Sequence, residues 1–311
     1  MSQMNPSQAR VINPVLTEVA RGYKHPERVG DKLFPVIPVG QRGGQVIQFG
    51  KESFKLYQTG RAPGADMGVV GYGYTGVDYA LQDHALAGKV PIELMEEAAA
   101  VPGIDLGKGA VQQVLDIISL RLEYQRATIA RTASSYATEN KATLSGSSQW
   151  SHADSNPTAA IEVAREAIRA KTGHYPNVAL LGPKVFSALK THSRILDRTK
   201  YTSKDSLTTD ILAGIWDIDQ VYVGKAVYAT DAGVFVDVWG KDVVLAYVAI
   251  ESLASMGTPS YGYTYQLRNF PVVEQPYYDN GKRSWLYPVI DSVAPVLAGA
   301  EAGYLFTNAV A

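Results

Sequence analysis

Apolar residues recur at steps of three, four and seven along one proline-free stretch, at Val111, Val114, Leu115, Ile118, Leu122, Ile129 and Ala133. That period keeps one side of a cylinder apolar and predicts a single very long helix from about residue 105 to about residue 136. Gln112, Asp116, Arg121, Glu123 and Arg131 fall elsewhere on the cylinder. Asp105, which follows Pro102-Gly103, suits the N-cap, while Gly107 and Gly109 weaken the first turns. A rod of roughly 30 residues at about 1.5 Å each spans about 45 to 50 Å, too long for an ordinary compact domain. The pattern therefore points to an elongated molecule whose flanks are covered by other copies.

Elsewhere the alternation is shorter. Residues 1–40 read as an extended arm, because Pro6, Pro14, Pro26, Pro35 and Pro38 interrupt helix and only Val15 to Ala20 leave room for a turn or two. Its apolar residues Val11, Ile12, Val15, Leu16, Leu33, Phe34, Val36 and Ile37 are too dispersed for a private core and must lie against the body or a neighbour. Gly44 to Phe49 and Val69 to Leu81 read as the strands of a long hairpin with thin packing of its own. Pro91 to Ala100 is a short helix candidate. Asn140 to Pro157, rich in serine, threonine and glycine, reads as a linker. Beyond it lies a compact unit: an amphipathic helix from Pro157 to Gly173, a buried strand at Val178 to Leu181, and helices at Pro183 to Lys190 and Asp210 to Ile215. Strands follow at Gln220 to Val223, Val234 to Trp239 and Val243 to Val248. Tyr261 to Val273 is strand-like, with Tyr261, Tyr263 and Tyr265 alternating onto one face, then a turn at Asp279-Asn280-Gly281 and a return strand over Arg283 to Val289. Helices and strands are mixed rather than strictly alternating, which favours an α+β class.

Composition narrows the function. The 311 residues are 46% hydrophobic, enough for one large or two ordinary cores. A net charge of -1, with cations spread along the chain, argues against a broad nucleic-acid or membrane-binding face. Without cysteine the chain has no disulfides, thiolate metal sites or cysteine nucleophiles, as suits assembly in a reducing cytoplasm. No signal peptide opens the sequence, and no apolar run of about 20 residues would span a membrane. Tyrosine stands out at 19 copies against seven phenylalanines, a bias that suits either strands or surfaces buried against partners.

Candidate chemistry is sparse. Gly71-Tyr-Gly73-Tyr-Thr-Gly76 spells a dinucleotide-binding loop, but strand formers follow it where a helix is required, and Glu93, Glu96 and Glu97 sit on a helix candidate. The glycines are read as permitting bends in an extended loop. His25, His84, His152, His174 and His192 lack metal-ligand spacing and read as surface or turn residues. Asp217 and Asp219, two apart at a strand start, read as solvated edge residues rather than a tuned carboxylate pair. The expectation is a chain without catalytic, cofactor or metal residues, and not an enzyme. Tyr-Gly-Tyr-Thr occurs at both Tyr72 to Thr75 and Tyr261 to Thr264, a repeat short enough for chance.

The order of parts resembles the major capsid protein of a tailed bacteriophage with the Hong Kong 97-type fold. The residues that carry the resemblance are Leu33-Phe-Pro-Val-Ile-Pro38, the Leu106 to Ser134 helix, Asn177-Val-Ala-Leu-Leu-Gly-Pro-Lys-Val-Phe186 and Ala302-Gly-Tyr-Leu-Phe306. The resemblance implies an N-terminal arm over 1–40, an extended E-loop hairpin over 41–85, and a peripheral domain over 86–154 built on the spine helix. It further implies an axial domain over 155–260 and C-terminal strands over 261–311 returning to the peripheral domain. Such a protein is expected to assemble as pentamers and hexamers into an icosahedral virion shell around double-stranded DNA. It would touch the packaged DNA non-specifically and assemble in the bacterial host cytoplasm, with either a separate scaffolding protein or none, and with portal and decoration proteins as candidate further partners. No additional N-terminal scaffolding region is expected. Some family members join an E-loop lysine to a neighbour's asparagine; Lys51 and Lys55 on one side and Asn269, Asn280 and Asn308 on the other are available, but no motif specifies the reaction and no cross-link is expected. An encapsulin-type nanocompartment shell is the alternative with the same fold, and a soluble enzyme or binding protein is the remote one.

Overall fold

The computed structural model describes residues 12–48, 59–60, 75–99, 105–199, 207–249 and 260–311. The chain opens with α1 (Pro14–Gly22), whose N-cap Asn13 side chain accepts from the Leu16 N–H and whose first residue is a proline, where a missing donor costs nothing. A single 3-10 turn over Gly30–Lys32 leads to β1 (Val36–Val39). A hairpin stem follows, β2 (Gly43–Gln48) against β3 (Thr75–Ala80), then the ten-residue β4 (Gln82–Pro91) and α2 (Ile92–Ala99). The tip of the expected hairpin, with Gly71 and Gly73, lies outside the described residues. Gly76 sits inside β3, so a strand and not a helix follows the glycine motif.

The long helix α3 runs Leu106–Arg131, capped by the Asp105 carboxylate accepting from the Lys108 N–H. Its 26 residues make a rod of about 39 Å. It stops five residues short of the expected end. Thr132 takes an extended conformation, and the Tyr136 hydroxyl folds back to the Ala130 carbonyl at 2.6 Å, satisfying one of the last free acceptors. Val111, Val114, Leu115 and Ile118 are buried as the periodicity predicts, and Leu122 and Ile129 are half-buried. Beyond them the buried face turns roughly 100° round the cylinder, onto Glu123, Arg126, Ala127 and Ala130. Glu123, expected on the polar side, is fully enclosed.

Asn140 to Pro157 is not a loose linker. Lys141–Thr143 forms β5, an edge strand parallel to the last strand of the chain, and Trp150 is buried beside Trp216 and Phe306. After it come α4 (Pro157–Thr172), closed by Gly173 in the left-handed region, β6 (Val178–Leu181), α5 (Pro183–Thr191) and α6 (Ser193–Thr199). Then α7 (Thr209–Trp216), β7 (Gln220–Val223), the hairpin β8 (Val227–Ala229) and β9 (Phe235–Asp237), and β10 (Val243–Ala246) complete this part. The C-terminal part holds β11 (Gly262–Leu267), β12 (Val272–Val273), β13 (Tyr277–Asp279), β14 (Ser284–Leu297) and β15 (Gly303–Thr307). At 14 residues β14 runs eight residues past the expected return strand.

Two sheets organise these elements among the described residues. In the first, β14 is central: β4 pairs along one edge from Ser284 to Val293, β13, β12 and β11 pair in turn along the other, and β1 adds parallel to β11. The N-terminal half of α3 lies on this sheet with α1, enclosing Ala20, Val90, Val111, Val114, Tyr287 and Val289. Close approach is possible because Gly88 of β4 faces the Ala110 backbone of α3, where a methyl group would sit 2.8 Å from the carbonyl oxygen. The second sheet has the order β5-β15-β10-β6-β7, with both faces covered. Ala179, Leu181, Val243, Leu245 and Phe306 point to α4, α5 and α7, while Val178, Leu180, Val244 and Leu305 point to Phe34, Ala127, Trp239 and Tyr261. Fully buried strands read as continuous apolar runs, as β6 and β10 do. Of the strands after residue 260, β11 to β14 join the first sheet, whereas β15 crosses into the second sheet between β5 and β10.

Candidate assembly site where arm, long helix and both sheets meet

The rotation of the buried face of α3 places two charged side chains, one turn apart, inside the protein. Glu123 accepts from the Val29 N–H at 3.1 Å, from the Gly30 N–H at 2.9 Å and from the Trp239 indole N–H at 2.7 Å. Arg126 donates through Nε to the Thr264 hydroxyl at 3.1 Å, and that hydroxyl donates to the Phe34 carbonyl at 3.0 Å. One helix turn thus holds the root of the arm (Val29, Gly30, Phe34), the first sheet (Thr264 on β11) and the segment before β10 (Trp239). Gly30 is required for this approach: a Cβ there would lie 2.6 Å from a Glu123 carboxylate oxygen. Leu33 and Phe34, fully buried, fasten the same root, as expected of the arm. Of its other apolar residues, Leu16 packs against the core under α3, Ile37 is half-buried, and Ile12, Val15 and Val36 are exposed; Val11 lies outside the described residues.

Burial pulls the Arg126 guanidinium below its ordinary value, opposed by the charges of Glu123, Asp31 and Asp291. Burial likewise pushes the Asp291 carboxyl above the usual carboxylate range, against the pull of Gln266, the Ser292 N–H, His84 and Arg126. Asp291 accepts from the Gln266 amide at 2.8 Å and faces His84 across the β14–β4 register. Next to it Arg42 grips Asp83 through both carboxylate oxygens at 2.7 Å and reaches Ser292, tying the hairpin stem to β14. Tyr79 of the stem stacks on Tyr265 of β11 with ring centroids 4.4 Å apart.

The far end of α3 is fixed to the second sheet. Arg131 pairs with Asp242 at 2.6 Å and donates to the Val238 carbonyl, and Asp242 in turn accepts from the Asn308 N–H. Tyr136 and Tyr261 share a hydroxyl contact of 2.5 Å in the same core, where burial raises both phenols. Tyr261 is therefore a core residue. Only Tyr263 and Tyr265 of the expected three-ring face lie side by side, with centroids 6.3 Å apart, because Tyr261 precedes β11 and turns inward onto Phe34 and Tyr136.

This arrangement joins segments that are distant in the chain. Among the described residues no group of three or more histidines and carboxylates is placed to hold a metal ion, and no helix is long and apolar enough to cross a membrane. Residues 129–264 match the model of the phage major capsid protein E family. The major capsid protein of Burkholderia phage BcepMu is 38% identical over 97% of this chain and 98% of its own length. The chain belongs to the phage major capsid proteins. A crystal structure of a phage-related protein from Bordetella bronchiseptica RB50 is 45% identical, covers 97% of this chain and 99% of its own, and superposes with a TM-score of 0.84. The holo-SrpI encapsulin complex of Synechococcus elongatus shares the fold at a TM-score of 0.57 and 13% identity, over 95% of each chain. The capsid protein thus has the mixed α+β, Hong Kong 97-type fold that its order of parts implies.

Residues weighed for chemistry take structural places in this capsid protein. Asp217, at the left-handed C-cap of α7, is an exposed acceptor for Arg165, and Asp219 is exposed without forming a carboxylate pair. His174 stacks on Tyr247. His192 is not a surface residue: it is buried and its Nε2 lies 3.0 Å from the Ser155 hydroxyl. Lys51 and Lys55 lie outside the described residues. Asn269 and Asn308 occupy left-handed turn positions, and Asn280 lies in an exposed turn. Glu123 and Arg126 fall outside the apolar periodicity because the stripe of the first half of α3 does not continue along the second. Their signal was the i, i+3, i+4, i+7 set of Glu123, Arg126, Ala127 and Ala130, two small residues that let other chain segments approach two charges.

Proposed function

We propose that this phage capsid protein closes into an icosahedral shell of pentamers and hexamers around double-stranded DNA. Residues 1–40 act as an arm and 41–85 as an E-loop, both reaching neighbouring copies. Residues 86–154 and the strands β11 to β14 form a peripheral domain on the α3 spine. Residues 155–260, joined by β15, form the axial domain around the symmetry axes. The observation that carries this reading is the full-length 38% identity to a phage major capsid protein. The site at Glu123 supports it, because one rigid turn of the spine fixes where arm and hairpin leave the body and so sets the angle at which they meet neighbours. Many modest contacts so directed sum through multivalency. A net charge of -1 suits an inner wall that touches DNA only non-specifically. Assembly takes place in the host cytoplasm with separate scaffolding, portal and decoration proteins, and the chain has no catalytic role or covalent cross-link.

Particles purified from phage-producing cells, treated with nuclease and then opened, should release double-stranded DNA. Particles holding a protein cargo and no nucleic acid would replace this reading with the nanocompartment. Boiling in detergent should return single chains, and a ladder of covalent oligomers would contradict the absence of a cross-link.

A further inference from the structure

The hairpin β8–β9 turns an apolar face outward. Its register sets Val227 opposite Asp237 and Ala229 opposite Phe235 on one face, with Tyr228 opposite Val236 on the other. The second face is fastened to the body: Tyr228 meets Tyr124 of α3 edge to face with centroids 5.0 Å apart, and Ala226 and Val238 at the root are buried. Nothing among the described residues covers the first face, where Phe235 is 74% exposed and Val227 is 43% exposed. A two-stranded ribbon is seldom stable on its own, and large apolar side chains held out on a fastened ribbon mark a contact surface.

Charge indicates what the surface meets. From Val227 to Asp237 the ribbon carries Asp231 and Asp237 and no lysine or arginine. Helices α5 and α6 carry Lys184, Lys190, Arg194 and Arg198 against one acid, Asp197, and expose Leu196 among them. The core residues of α5 and α6 pack on one face of the second sheet and the root of the ribbon packs on the other. An acidic apolar patch and a basic apolar patch thus lie on opposite sides of one sheet. Two different patches of one chain that complement each other make a head-to-tail contact, the kind that closes rings.

We propose that the Val227–Phe235 face of the ribbon seats on the α5–α6 surface of the next copy, with Asp231 and Asp237 meeting its cations. The contact rests on the shell reading and names one of its lateral interfaces. The Val227→Ser/Phe235→Ser variant should keep the wild-type circular dichroism spectrum and thermal midpoint as a subunit, while its particle yield falls roughly ten-fold or more. Asp231→Lys/Asp237→Lys and Lys190→Glu/Arg198→Glu should each reduce particles similarly, and the four substitutions together should restore them. Wild-type particle yield from the serine variant, or a combined charge reversal no better than either half, would overturn the contact and leave the shell reading standing. Wild-type protein that never assembles would overturn the shell reading and this contact with it.

Discussion

Replacing Glu123 by glutamine keeps the shape of the side chain and removes its charge, so it isolates what the carboxylate contributes. Three donors point at its two oxygens, from Val29, Gly30 and the Trp239 indole. The amide has one oxygen. In either orientation its NH2 group opposes at least one of these donors, and the bonds that remain lose their charge assistance, about half their strength. One lost charge-assisted bond costs about 1.5 to 3 kcal/mol. The buried Arg126 guanidinium also loses the largest of the charges that oppose the effect of its burial, which adds to that cost. We therefore expect a loss of about 2 to 4 kcal/mol, read as a lower denaturant midpoint of the dissociated subunit with an unchanged slope. Protease cleavage between Lys24 and Lys32 should rise in parallel, because the Val29–Gly30 root is what the carboxylate holds. Arg126→Met should be comparably damaging, and the two together less damaging than their sum, by about 1 kcal/mol or more. A loss below about 1 kcal/mol in Glu123→Gln, or full additivity with Arg126→Met, would refute the idea that this turn of α3 holds the arm.

Three further outcomes follow from the same geometry. Proline at Ile118 should abolish both subunit fold and particles, since an interior proline costs about 3 kcal/mol before the packing lost around a buried side chain; soluble, intact particles would contradict the role of α3 as spine. Asp291→Asn should change the pH profile of subunit unfolding in a defined direction. Because burial raises the folded-state value of Asp291, its ionised form costs stability above that value, and wild type regains stability as pH falls through it toward the unfolded value of about 3.9. The variant should therefore gain most on wild type at neutral pH and lose that advantage in acid; a constant difference across the range would contradict the assignment. Tyr136→Phe should lower subunit stability by about 1 to 2 kcal/mol, because the Ala130 carbonyl and the Tyr261 hydroxyl each lose a buried partner, and an unchanged thermal midpoint would show that water replaces it.

Much of the architecture was legible because it rests on local periodicity. The first half of α3, the helix closed by Gly173 and the buried strand Val178 to Leu181 each follow from apolar spacing and end signals within one segment. What was not legible depends on partners distant in sequence. Lys141–Thr143 looks like linker because a three-residue strand has no pattern of its own, and it is ordered by β15, more than 160 residues away. β15 itself leaves its neighbours for the second sheet because Val243–Ala246 offers a free edge there. Glu123 looked solvent-facing because the long helix passes between two different environments, so no single stripe describes both halves. His192 reads as a surface or turn residue; it does sit in the break between α5 and α6, but buried, with Ser155 as its partner. The candidate site therefore lies where sequence patterning changes along one element, while the class of protein is carried by the order of elements along the chain.

Electron microscopy of the purified protein shows whether copies of this chain enclose a volume. Closed particles of uniform diameter with five-fold and six-fold clusters are the expected result. A population of monomers or dimers alone, with each chain compact at a radius of about 19 to 20 Å, would contradict it.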